Sequence, residues 1–158
     1  MTDNTHGKWF EDKVTGALKE IQGKHHAMFH RFPDTRAARN ILPAQPADYL
    51  FAMRGTALLI EAKCSEVHEG LRSGFSSLWP KPEAAFHRKW HRSGCPSLVV
   101  FCDYITEKVE IWQGTEIAKY RAFGKPIPKH VEPLVIGFVG NLKEIILEAV
   151  DISKGNEQ

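Results

Sequence analysis

The stretch Asp48-Tyr-Leu-Phe-Ala-Met-Arg-Gly-Thr-Ala-Leu-Leu-Ile-Glu-Ala-Lys63 decides the fold. It contains two apolar runs separated by Arg54-Gly55, which is the pattern of a β-hairpin with glycine at its turn. If these two residues form the turn, Asp48 and Glu61 are direct cross-strand partners with Cβ atoms about 5 Å apart. Lys63 lies two residues beyond Glu61 and projects from the same face. The hairpin therefore brings two carboxylates and an ammonium together.

Two carboxylates in direct opposition repel each other, so this part of the hairpin needs a compensating positive charge. Mg²⁺ provides one well, because it binds one or two carboxylates and keeps several waters. Metal-bound water is a nucleophile near neutral pH, and a nearby ammonium can orient it or offset charge in a transition state. Asp48, Glu61 and Lys63 are equally compatible with a plain ion-pair cluster at a strand end, and spacing alone does not choose between the two.

Further elements follow on both sides of the hairpin, and their order indicates an α/β fold in which helices flank a mixed β-sheet. Hydrophobic spacing and the positions of glycine and proline predict their boundaries. The predicted helices are residues 7–22, 83–92, 114–120 and 141–150, and the strand candidates outside the hairpin are 27–32, 97–101, 109–112 and a run within 131–139. We expect residues 1–150 to form a single domain and residues 151–158 to be a frayed tail.

Composition places the chain among soluble globular proteins, with 158 residues, 42% hydrophobic and 25% charged. The longest clean apolar run, Ala57–Ile60, is far too short to span a membrane, and the N-terminus lacks the pattern of a signal peptide, so we expect a cytoplasmic protein without membrane partners. The three cysteines form no CxxC motif, which argues against a zinc ribbon. The net charge of +2 is uneven: residues 1–102 hold 14 basic and 10 acidic side chains, and residues 103–158 hold 7 and 9.

The hairpin resembles the PD-(D/E)xK nuclease superfamily, in which an Asp on one strand precedes an (Asp/Glu)-x-Lys on the next. Here the motif is Pro46-Ala47-Asp48 and Glu61-Ala62-Lys63, with one extra residue between Pro and Asp. The order of hairpin, loop, helix and apolar strand is similar to that of the RecU-type Holliday junction resolvases. The resemblance spans residues 7–112 and is specific over residues 48–63. It implies a restriction-endonuclease-like core.

The resemblance also implies a site and a function. Asp48, Glu61, the Ala62 carbonyl and Glu11 on the first helix would bind Mg²⁺ or Mn²⁺, and Lys63 would position or activate the attacking water. The protein would be a metal-dependent DNA endonuclease of recombination and repair that acts on branched DNA as a homodimer. The helix after the family's motif brings a Gln to the site, whereas Glu83 stands at the matching place here, and the segment before Asp48 is short for a junction-probing stalk.

Basic residues around the motif are candidate phosphate contacts, because Lys and Arg neutralise the DNA backbone. They are Arg36, Arg39, Arg72, Lys81, Arg88, Lys89 and Arg92. Solvated surface charge is the alternative interpretation. Trp79 could stack on a base or belong to the core, whereas Phe86 is expected in the core. A zinc site made of Glu83, His87, His91 and Cys95 is a weaker alternative on the same helix.

Two other functions remain open. One is a different PD-(D/E)xK nuclease of the repair, phage or restriction type. The other is a DNA-binding protein that keeps the fold but does not cleave. The complete set of Asp48, Glu61 and Lys63 argues against the second, since binding alone has no chemical need for all three.

Overall fold

A computed structural model of the chain describes residues 5–33 and 45–155. Six strands form one sheet in the order β1-β2-β3-β4-β5-β6. The strands are β1 (Ala27–Arg31), β2 (Tyr49–Met53), β3 (Thr56–Ser65), β4 (Ser97–Asp103), β5 (Lys108–Gln113) and β6 (Val135–Phe138). The helices are α1 (Thr5–Lys24), α2 (Phe75–Leu78), α3 (Lys81–Arg92), α4 (Gly114–Ala122) and α5 (Leu142–Gly155). This confirms an α/β fold with a mixed sheet flanked by helices.

The β3–β4 pair is parallel, and every other neighbouring pair of this sheet is antiparallel. A parallel connection needs a crossover of a dozen or more residues, and residues 66–96 provide it through α2 and α3. The crossover returns the chain to the first half of β3, where Ser97 pairs with Leu59. As a result α3 runs opposite to β3, with its N-terminus toward the C-terminal half of that strand.

Two apolar layers cover the sheet. On what we call the first face, α1 and α5 pack over residues such as Tyr49, Ile60 and Val100. On the second face, α3 and α4 pack over the strands that carry Val99 and Phe101. Because side chains alternate along a strand, neighbouring residues of β3 and β4 belong to different layers.

The turn of the predicted hairpin has the backbone that its sequence suggests. Arg54 has a φ of 50° and Gly55 a φ of 83°, and two successive positive φ angles are the mark of the tight turn that best suits the strand twist. Met53 pairs with Thr56 directly beside this turn. The register predicted for the hairpin is therefore confirmed.

The C-terminal end differs from the expectation. Helix α5 continues to Gly155, five residues into the segment expected to be frayed. Ile152 packs against the first-face core and Ser153 is fully buried, and this tertiary contact holds the last turns in place. Of the helices in the described part of the chain, none is both long and apolar enough to cross a membrane.

Candidate active site

Asp48 and Glu61 lie side by side at the open end of the hairpin. Tyr49 and Ile60 form the last pair of the β2–β3 ladder, and Asp48 and Glu61 are the next residues outward. Tyr49 and Ile60 are buried on the first face, so Asp48 and Glu61 point to the second face. They are thus neighbours on one face of the sheet, directly beyond the last pair of the ladder. The structure therefore brings together the two acids that the sequence paired.

Glu61 is a buried carboxyl group, with 4% of its surface exposed. Burial disfavours its ionised form and the negative charge of Asp48 adds to this effect, so the pKa of Glu61 lies well above its usual range although Lys63 opposes the shift. Two carboxyl groups this close are stabilised by a shared proton or by a cation.

Asp48 also binds the backbone of the partner strand. Its Oδ2 accepts a hydrogen bond of 2.8 Å from the Ala62 N–H. In an antiparallel ladder one residue directs its N–H and its carbonyl toward the same neighbouring strand. The Ala62 carbonyl consequently leaves β3 toward Asp48, beyond the last β2–β3 pair. The backbone oxygen predicted as a ligand thus lies beside the two predicted carboxylates.

Lys63 supplies the positive charge of this cluster. Its Nζ lies 2.7 Å from Glu83 Oε2 and 3.5 Å from Glu61 Oε1. Burial alone would lower the pKa of Lys63, but the charges of Glu61 and Glu83 and the hydrogen bond that Lys63 donates to Glu83 outweigh it, so its pKa is raised. Lys63 is therefore a protonated ammonium, suited to orienting a water or a phosphate oxygen rather than to removing a proton.

Glu83 reaches the site from the other layer. It lies in the first turn of α3, where the helix dipole stabilises a negative charge, and 37% of its side-chain surface is exposed. The antiparallel course of α3 relative to β3 brings this first turn over Lys63. Glu83 on α3 thus contacts Lys63 on β3 directly.

Glu11 has a different environment. It lies on α1, which packs on the first face, and its Oε2 is 3.1 Å from Arg31 Nη2. Its backbone carbonyl accepts a hydrogen bond of 2.8 Å from the Tyr49 hydroxyl. Within residues 5–33 and 45–155, no three His, Cys, Asp or Glu side chains are arranged to hold a metal ion. The predicted role of Glu11 as a ligand stays a prediction.

The basic residues predicted to contact DNA fall into three groups. Arg36 and Arg39 lie outside the described residues. Lys81, Lys89 and Arg92 are exposed on α3. Arg88 is half-buried, with its guanidinium carbon 5.4 Å from the centre of the Phe123 ring. The exposed α3 lysines and arginine remain available to phosphates.

Arg72 forms the third group, and its contacts are internal. Its guanidinium donates hydrogen bonds of 3.0, 2.7 and 2.5 Å to the carbonyls of Ile127, Pro128 and Val131. It also lies 5.4 Å from the centre of the Trp112 ring. These contacts attach the loop before β6 to the body of the domain. They give Arg72 a structural role that nothing in its sequence surroundings signals.

His87 and Trp79 belong to the core behind Lys63. Trp79 is fully buried, which settles its open assignment, whereas Phe86 is only half-buried. The His87 ring bonds to Ser97 Oγ at 2.6 Å through Nδ1. Burial and the nearby charge of Lys63 lower the pKa of His87 to about 3. Because His87 is enclosed whereas His91 is exposed in the last turn of α3, the described residues do not form the alternative zinc site.

Sequence reasoning missed two ion pairs, Lys63 with Glu83 and Arg31 with Glu11. Glu83 and His87 lie four residues apart and hence on one side of α3, which was a signal that Glu83 faces the sheet.

A scan against models of protein families finds no match, and no curated protein is significantly similar in sequence. The motif and its geometry therefore carry the functional argument.

Proposed function

We propose that this protein is a metal-dependent DNA endonuclease with a restriction-endonuclease-like core. The observation that carries the proposal is the Asp48–Glu61 carboxyl pair, which lies on the same face as the protonated Lys63. Among the described residues, the acids Asp48, Glu61 and Glu83 surround one ammonium, that of Lys63. Acids therefore outnumber bases in this part of the site, and a cation would offset the difference.

The donors fit Mg²⁺ or Mn²⁺. Asp48 and Glu61 would hold the ion together with the Ala62 carbonyl, a set of hard oxygen ligands that leaves room for water. The raised pKa of Glu61 fits the same role, because a carboxyl group that is costly to ionise alone becomes favourable to ionise beside a cation. The bound ion would supply a water of lowered pKa and Lewis acidity toward a phosphate.

The chain's own residues would then act as follows. Lys63, kept protonated by Glu61 and Glu83, would orient the attacking water and offset the negative charge that develops on the phosphate. Glu83 would hold the Lys63 ammonium in place. His87 is buried and neutral at physiological pH, and its ring bonds to Ser97 at the start of β4. Through this contact His87 would hold α3, and with it Glu83, against the sheet.

The exposed basic residues of α3 support DNA as the substrate. Lys81, Lys89 and Arg92 are exposed on the helix whose first turn lies over the acidic site, so a phosphate backbone bound along α3 would pass close to Lys63. Such contacts position the nucleic acid without reading its sequence. Branched DNA and a homodimeric enzyme follow from the resemblance to RecU-type resolvases, because paired nicking of a junction needs two sites.

A labelled four-way junction, incubated with the protein in Mg²⁺, tests the proposal. We expect paired nicks in Mg²⁺ or Mn²⁺, none in Ca²⁺ or chelator, and loss of cleavage in Asp48→Asn and Lys63→Ala. Lys24→Ala, at the far end of α1, is the matched control and should cleave normally. Wild-type rates in both site variants would overturn the assignment.

The same assay separates the alternatives. Equal cleavage of a linear duplex and the junction would favour a repair, phage or restriction-type nuclease. Metal-independent binding with no cleavage in either Mg²⁺ or Mn²⁺ would favour a non-catalytic DNA-binding protein. Sedimentation of the protein with and without junction DNA measures whether it is a dimer.

A further inference from the structure

Two of the three cysteines are paired residues on neighbouring strands. Cys64 on β3 and Cys102 on β4 are register partners in the parallel pair. Both side chains lie on the first face, next to each other on the two neighbouring strands. Strands in a sheet are about 4.8 Å apart, and disulfides form between Cα atoms separated by about 4.4–6.8 Å. The backbone therefore already has the spacing of a cross-linked pair.

The two thiols differ in their access to solvent. Cys64 is half-buried, whereas Cys102 is fully buried. An oxidant from solvent consequently reaches Cys64 first, and the Cys102 thiol lies beside it on the neighbouring strand. An accessible thiol beside a second, protected one is the arrangement of an oxidisable cysteine and its resolving partner.

We propose that Cys64 and Cys102 are a reversible oxidation site at which a peroxide converts the thiol pair into an intramolecular disulfide. The Cys64 sulfur attacks a peroxide oxygen, the O–O bond breaks, and one water leaves to give a sulfenic acid. The Cys102 sulfur then attacks the Cys64 sulfur, the S–O bond breaks, and a second water carries away the Cys102 proton. One peroxide is reduced to two waters as two thiols are oxidised to one disulfide.

The site is close to the acidic cluster but chemically separate from it. Cys64 follows Lys63 directly and points to the opposite face of β3. A bond to Cys102 would fix β3 against β4 at the point where Lys63 emerges. The thiol chemistry needs none of the acidic residues, so the proposal stands or falls without the proposed nuclease activity.

Thiol counting on the full chain tests this proposal, with Cys95 as an internal control. Cys95 lies half-buried in the connection before β4, away from the pair. The reduced protein is treated with a small excess of hydrogen peroxide, unfolded, alkylated and mapped by mass spectrometry. Before alkylation, the mass of the oxidised protein should be lower than that of the reduced protein by two hydrogen atoms. After alkylation, we expect one modified thiol, at Cys95, and a cross-linked peptide pair that contains Cys64 and Cys102.

Variants make the result specific. Cys95→Ala should form the same disulfide, whereas Cys64→Ser and Cys102→Ala should form none, and Cys102→Ala should leave a sulfenic acid at Cys64 that dimedone traps. A reductant should restore all three thiols of the wild type. Three unreacted thiols after peroxide treatment, or oxidation confined to Cys95, would overturn the proposal. If Cys64→Ser or Cys102→Ala fails to fold, the disulfide content of Cys95→Ala decides between the outcomes.

Discussion

The Nζ atom of Lys63 lies 2.7 Å from Glu83 Oε2, closer than the 3.5 Å that separates it from Glu61 Oε1 on its own strand. The tighter partner of the central ammonium thus comes from α3, twenty residues further along the chain. Because the side chain of Lys63 is only 18% exposed, water screens this ion pair weakly. Glu83 should consequently control both the position and the charge of Lys63.

Substitution of Glu83 separates these two effects. Glu83→Gln keeps a hydrogen-bond acceptor but removes a charge that raises the pKa of Lys63, so we expect the alkaline limit of cleavage to move to lower pH. Glu83→Ala removes the contact as well, and we expect a loss of roughly 10- to 100-fold in kcat, as for other residues that orient a catalytic group. The pH–rate profiles of both variants on labelled junction DNA measure this. An unchanged profile in Glu83→Gln would contradict the prediction.

Glu61 should link folding stability to pH in the opposite sense to an ordinary surface acid. Its folded-state pKa is raised above the unfolded value, so the native state binds the proton more tightly. The contribution to stability is fully present below the unfolded pKa and is lost as the pH rises through the folded one. Glu61→Gln removes the free-energy cost of ionising this buried carboxyl group. We therefore expect the free energy of unfolding to rise by about 1–3 kcal/mol near neutral pH in chelator.

Urea denaturation of the wild type and Glu61→Gln at acidic and neutral pH measures the effect. The two proteins should be closest in stability at acidic pH. Mg²⁺ should stabilise the wild type more than the variant, and calorimetry in buffers of different ionisation enthalpy should detect proton release on metal binding. Destabilisation of Glu61→Gln at neutral pH in chelator would refute the account.

Substitutions of Arg72 and Lys89 should have different effects, the first on the stability of the protein and the second on its binding to DNA. Arg72→Ala removes the hydrogen bonds to the carbonyls of Ile127, Pro128 and Val131, and we expect a loss of about 1–3 kcal/mol in the free energy of unfolding. Lys89→Ala removes an exposed charge on α3, so stability should stay the same while the slope of log K against log salt falls by about 1. Thermal unfolding and salt-dependent binding measure both. A reduced salt slope with unchanged stability in Arg72→Ala would reverse the assignment.

Gly114 should not tolerate a side chain. A Cβ atom there would lie 2.5 Å from Ser97 Oγ and 2.8 Å from His87 Nδ1, so we expect Gly114→Ala to cost about 1–3 kcal/mol through overpacking. Gly16 in α1 is the matched control, since a Cβ meets nothing within 4 Å and Gly16→Ala should stabilise the helix by about 0.5–1 kcal/mol. Chemical denaturation compares the two. Equal effects would show that the His87–Ser97 contact is looser than described.

The sequence predicted those parts of the site that local geometry determines. A two-residue turn sets the register of β2 and β3, so the Asp48–Glu61 pairing and the face of Lys63 could be deduced from numbering alone. The contact of Lys63 with Glu83 depends on the crossover, which brings distant segments together at an angle that no local pattern encodes. The internal role of Arg72 was hidden for the same reason, because its acceptors lie more than fifty residues away.

The parallel β3–β4 pair also predicts an order in which the site assembles. The hairpin that pairs Asp48 with Glu61 is a local structure, which can form early. Glu83, and the neighbour strand β4, arrive only when the long crossover closes, and closing a longer loop costs more entropy. We therefore expect the two acids to meet during folding before α3 fixes Lys63 between Glu61 and Glu83. Acid and divalent cations should favour this early hairpin, because both reduce the repulsion between the two carboxylates.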